Sequence, residues 1–111
     1  MRRVLLIDCQ DDNFSRGIAD AIRPLGFDVD IAFGLGLALQ KLRQSVPQYD
    51  VALVVGKASA NADVETVREL VHACYRFGHG ASPCFLFVSR GKSDLQMRLR
   101  IERLGVRYVR V

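Results

Sequence analysis

The sequence predicts one α/β domain built on an open, doubly wound, five-stranded parallel sheet with helices on both faces. Five short apolar runs alternate with segments whose apolar residues recur every three or four positions, the pattern of strands joined by helices. The connections are long enough for the crossovers that parallel strands require. Unbroken apolar runs such as 51–55 indicate a sheet that is covered on both faces.

The first half of the chain predicts two strands and one helix. The first strand is expected at 4–7, and residues 11–13 offer caps for the first helix. The apolar residues of that helix share one face: Phe14, Ile18, Ala21, Ile22 and Leu25. Pro24 falls in its last turn and Gly26 ends it. Residues 27–32 alternate apolar and acidic side chains, which predicts a second strand with one wet face.

The second half continues the alternation. We expect a second helix at 35–46, a buried third strand at 50–55, and a third helix capped by Asn61 or Asp63. The apolar face of the third helix consists of Val64, Val67, Leu70, Val71, Cys74 and Phe77. The remaining elements are a fourth strand at 83–89, a fourth helix ending near Leu104, and a fifth strand at 106–111.

Composition favours a cytoplasmic globular domain that spans residues 1–111. Half of the residues are hydrophobic and a quarter are charged, which fits a packed core. The apolar run at 4–7 is too short for a signal peptide or a membrane span. Three cysteines, Cys9, Cys74 and Cys84, are an odd number without the close spacing of zinc or redox motifs. Such cysteines are typical of a reducing compartment.

Positive charge is concentrated near the carboxyl terminus. The arginines of this region that we consider as an interaction surface are Arg98, Arg100, Arg103, Arg107 and Arg110. A solvated helix face explains this charge, and it is the interpretation that we favour. An acidic protein partner or a nucleic acid is the alternative, although zinc spacing and a helix-turn-helix pattern are both lacking.

Four segments, taken together, resemble the receiver domains of bacterial two-component response regulators, the CheY-like superfamily. Residues 4–8 (VLLID) resemble the first strand with its terminal acid, and 25–27 (LGF) resemble the turn after the first helix. Residues 49–54 (YDVALV) resemble the third strand, and 104–109 (LGVRYV) resemble the approach to the last one. The resemblance implies a flavodoxin-like fold with strand order 2-1-3-4-5 and a role in signal transduction.

The resemblance also implies a degenerate phosphorylation site. Receivers hold Mg²⁺ with two acids after the first strand, and these positions become Asp8 and Cys9. The phosphoacceptor position becomes Val55. The hydroxyl position becomes Val88, with Ser89 beside it, and the lysine position becomes Val111. We therefore expect a pseudo-receiver that is not phosphorylated in the manner of the family.

Receivers add a fifth helix after the last strand, and this sequence stops at Val111. The last helix is therefore expected to be missing, as in a regulatory fragment of a longer protein. An apolar face would then be exposed and available as an interface. The partners implied are another protein or a second copy of the chain, as in a homodimer, and no membrane.

Another carboxylate could substitute in the degenerate site only if it lay close to Asp8. Asp50 is expected about 16 Å away, at the far end of the third strand, and Asp63 in the next helix; neither is expected to reach. Asp8, Asp11 and Asp12 together could hold a Mg²⁺ ion through oxygens. The favoured interpretation needs no cofactor: Asp11 or Asp12 caps the first helix while Asp8 stays solvated.

An enzymatic alternative starts from Cys9, which follows the first strand and precedes a helix. Small tyrosine phosphatases place a nucleophilic cysteine there, and Arg16 lies downstream. The spacing from Cys9 to Arg16 is one residue too long for them, and acidic Asp11 and Asp12 would repel phosphate. A module that acts through protein contacts rather than catalysis is the prediction we favour.

Overall fold

The computed structural model of the protein describes residues 2–9, 14–44, 49–56, 61–77, 83–89 and 95–110. Strands and helices alternate along these residues, as the sequence predicts. The elements are β1 (Arg3–Asp8), α1 (Phe14–Ile22), a 3₁₀ turn (Arg23–Leu25), β2 (Asp28–Phe33), α2 (Leu35–Gln44), β3 (Val51–Gly56), α3 (Asn61–Phe77), β4 (Cys84–Ser89), α4 (Leu95–Arg103) and β5 (Arg107–Arg110). None of the described helices is both long and apolar enough to cross a bilayer.

The five strands form one open sheet in the order β2-β1-β3-β4-β5, and every neighbouring pair is parallel. This confirms the predicted fold class and strand order. β2 lies on one side of β1 and β3 lies on the other, so the direction in which the chain progresses across the sheet reverses at β1. In sheets of this kind the crevice at that reversal, beyond the carboxyl ends of the strands, is where ligands bind.

Each face of the sheet has its own core, because side chains alternate along a strand. One face carries buried residues such as Val54 and Phe87 and packs against α2, α3 and α4. The other face carries Leu6 and Val55 and packs against Ala19 of α1. Among the described helices, α1 alone covers this second face.

Among the described residues, the second face is only partly covered over β4 and β5: Val88 is buried, whereas Leu86 and Val109 are not. Phe85 and Phe87, which point to the three-helix face, are 7% and 0% exposed. Leu86 lies between them, points the other way and is only partly buried. Val109 of β5, which pairs with Val88 on the same face, is 44% exposed. This face therefore exposes some apolar surface, at Leu86 and Val109, in the described part of the molecule.

Periodicity predicts the core-facing side of the first helix only in part, because Phe14, Ile18 and Ile22 pack against the core as expected and two other predicted residues do not. Ser15 and Ala19 are its buried residues, whereas Ala21 is exposed and Leu25 is 73% exposed. The residues that depart from the prediction are therefore Ala21 and Leu25. Gly26 ends the 3₁₀ turn at φ 96°, a conformation that glycine adopts without strain, as predicted.

A network of polar contacts lies at the amino ends of the strands. The backbone N–H of Arg3 donates to Oδ2 of Asp50 at 2.9 Å, and the Arg3 guanidinium lies 3.4 Å from Asp30 and over the Tyr49 ring. The Tyr49 hydroxyl donates to Asp30 at 2.6 Å. The backbone of Asp50 also bonds to Arg3 and Cys84 on the neighbouring strands. The third strand begins and ends one residue later than predicted, at Val51–Gly56.

Candidate functional site

Asp8 ends β1 and is completely buried, so the expectation of a solvated carboxylate is wrong. The hydroxyl of Ser15, also completely buried, donates a hydrogen bond of 2.6 Å to Oδ2 of Asp8. Asp8 pairs with Val55 on the face that α1 covers, and this places its side chain under the first turn of the helix. The carboxylate thus links a strand end to α1.

Cys9 follows on the opposite face and packs beside the core under α2, α3 and α4. Its backbone N–H donates to the carbonyl of Val55 at 3.0 Å, which fixes the residue at the sheet edge. Burial, followed by the negative charges of Asp63 and Asp8, raises the pKa of the Cys9 thiol to about 12. A nucleophilic cysteine needs the reverse environment, one that lowers the pKa.

Asp63 reaches the carboxyl end of β3, contrary to the expectation that it would not. It lies in the first turn of α3, is 5% exposed, and packs against Gly56, the last residue of β3. A Cβ added to Gly56 would lie 2.7 Å from Oδ2 of Asp63. The missing side chain therefore allows the first turn of α3 to approach the strand end. Asp50, as expected, stays at the amino ends.

Ser89 ends β4 beside Gly56, its partner in the parallel register. It is completely buried, and its Oγ has no hydrogen-bond partner among the described residues. Val55 and Val88, which occupy the phosphoacceptor and hydroxyl positions implied by the resemblance, are 0% and 7% exposed. Both pack in the core under α1. The phosphoacceptor and hydroxyl positions implied by the resemblance are thus occupied by buried apolar side chains.

The donors in the described part of this site do not fit a Mg²⁺ ion. One oxygen of Asp8 accepts from Ser15, and the second acid of the family pattern is Cys9, whose thiol keeps its proton. The described residues contain no group of three or more histidine, cysteine, aspartate or glutamate side chains placed to hold a metal. Asp11 and Asp12, proposed as partners of Asp8, lie outside the described residues, as does Val111.

Comparison with known proteins adds nothing to this geometry. No family model, curated protein or solved structure matches the sequence. The assignment of the fold is therefore based on the structure alone. The resemblance to receiver domains stays a prediction.

The basic residues are divided between two surfaces. On α4, Arg98 pairs with Glu102 at 3.1 Å and lies over the Tyr108 ring, and Arg100 pairs with Glu65 of α3 at 3.0 Å. Arg103 is exposed at the end of α4. Arg107 is exposed on β5 and, by alternation, points to the opposite face of the sheet. Arg110 ends β5. The four of these arginines whose side chains are described therefore do not form one continuous patch.

The sequence did not identify Ser15 and Gly56 as residues of the site. It also did not predict that Asp63 reaches the end of β3. A glycine directly after a continuous apolar strand is the usual sign of a close backbone approach, and Gly56 fits it. Ser15 lies next to the apolar positions of α1, where a small polar residue suggests close packing. The sequence pattern around Asp63 indicates only a helix cap. It does not show which groups the carboxylate contacts.

Proposed function

We propose that the chain is a receiver-like signalling domain that lacks the phosphorylation switch and acts through protein contacts. The observation that carries this proposal is the burial of Val55. By the resemblance, Val55 occupies the position of the phosphoacceptor aspartate. It has neither a carboxylate nor any exposed surface, so phosphoryl transfer to this position has no chemical basis.

The carboxylates around that position support the same conclusion. Asp8 is completely buried and accepts a hydrogen bond from Ser15, and Asp63 is 5% exposed against Gly56. Neither presents an open oxygen to a phosphoryl donor. The negative charges of these two carboxylates also repel a phosphate dianion.

The two alternatives have less support. The pKa of Cys9, raised to about 12, disfavours a phosphatase that uses this thiol as its nucleophile. A nucleic-acid module would need a continuous basic surface, whereas Arg98 and Arg100 lie on α4 and Arg107 points to the opposite face of the sheet. A cytoplasmic location agrees with the proposal, since all three cysteines are free thiols.

An NMR titration tests the proposal. Amide spectra of the protein are recorded with Mg²⁺ alone, and then with beryllofluoride, which mimics a phosphoryl group on an aspartate. We expect no shifts at Asp8, Gly56 and Ser89, because the described carboxylates at this end of the sheet, Asp8 and Asp63, are buried. Saturable shifts at these amides would overturn the proposal, and their loss in Asp8→Asn or Asp63→Asn would identify the acceptor. A functional receiver domain run in parallel confirms that the reagent is active.

A further inference from the structure

We draw no further inference here: the strongest candidate, the buried hydroxyl of Ser89 at the carboxyl end of β4, which has no hydrogen-bond partner among the described residues, belongs to the candidate site already described, and nothing in the structure shows what ligand would meet it.

Discussion

The hydroxyl of Ser15 donates a hydrogen bond of 2.6 Å to the carboxylate of Asp8, and neither side chain is exposed to solvent. A carboxylate removed from water is costly unless polar groups surround it. The contact therefore ties the first turn of α1 to the end of β1. It also takes the oxygen that would otherwise be offered to a cation at this sheet edge.

Replacement of Ser15 by alanine should destabilise the protein by about 1–3 kcal/mol, because a buried carboxylate oxygen loses a donor. Chemical denaturation followed by circular dichroism measures this change. Thr66→Ala is the control, since the Thr66 hydroxyl bonds to the carbonyl of Ala62 on the exposed side of α3. We expect the control to change the free energy of unfolding by less than about 0.5 kcal/mol. Equal effects of the two variants would show that the Ser15 contact contributes little.

Substitution of Gly56 by alanine should destabilise the protein by about 1–3 kcal/mol, because its new methyl group would overlap the buried carboxylate of Asp63. Gly17 on α1 is the matched control. A Cβ added there meets nothing within 4 Å, and Gly17→Ala should stabilise the helix by about 0.5–1 kcal/mol. Denaturation curves of both variants give the comparison.

The origin of the Gly56 effect is tested by a double-mutant cycle. If overlap with Asp63 is the cause, Gly56→Ala should cost much less in an Asp63→Ala background than in the wild type. A cost that is the same in both backgrounds would place the strain elsewhere, for instance in the backbone of the strand end.

The sequence predicts the fold well because the fold depends on alternation. Apolar runs of strand length and helical periods recur in order, and few topologies accommodate five such units. Periodicity also identifies Val64, Val67 and Leu70 as the buried side of α3, and all three are buried. On α1 the same reasoning is wrong for Leu25, because periodicity reveals an apolar stripe without showing whether a neighbouring element covers it.

The site is less predictable because it depends on contacts between distant segments. The burial of Asp8 depends on Ser15, seven residues later, and on the depth at which α1 packs. The position of Asp63 depends on the absence of a side chain at Gly56 and on a strand boundary that the sequence places one residue too early. Neither contact produces a local sequence pattern. The residue types can therefore be read from the sequence, but the contacts between them cannot.

The three thiols should differ widely in their rates of alkylation. Cys84 is exposed on β4 and should react first with iodoacetamide. Burial raises the pKa of Cys74. A pKa of about 12 leaves about 10⁻⁴ of Cys9 as thiolate at pH 8, so Cys9 should react last.

Peptide mass spectrometry over a labelling time course measures these rates, and labelling in denaturant provides the control, because the differences should disappear when the chain unfolds. Labelling of native Cys9 at the rate of Cys84 would show that its thiol is activated. The nucleophilic interpretation would then regain support.

The same property of Cys9 predicts a loss of stability at alkaline pH. Its pKa is raised from 9.0 to about 12 in the folded state, so between these values the unfolded chain loses the thiol proton while the folded protein retains it. The contribution of the neutral thiol is thus complete below pH 9 and declines as the pH rises toward 12. Because Cys9→Ala removes the group from both states, the difference in unfolding free energy between wild type and variant should shrink by about 1.4 kcal/mol from pH 8 to pH 10. Urea denaturation at the two pH values measures this difference, and a value that does not change with pH would mean that the thiol is less enclosed by Asp63 and Asp8 than the structure indicates.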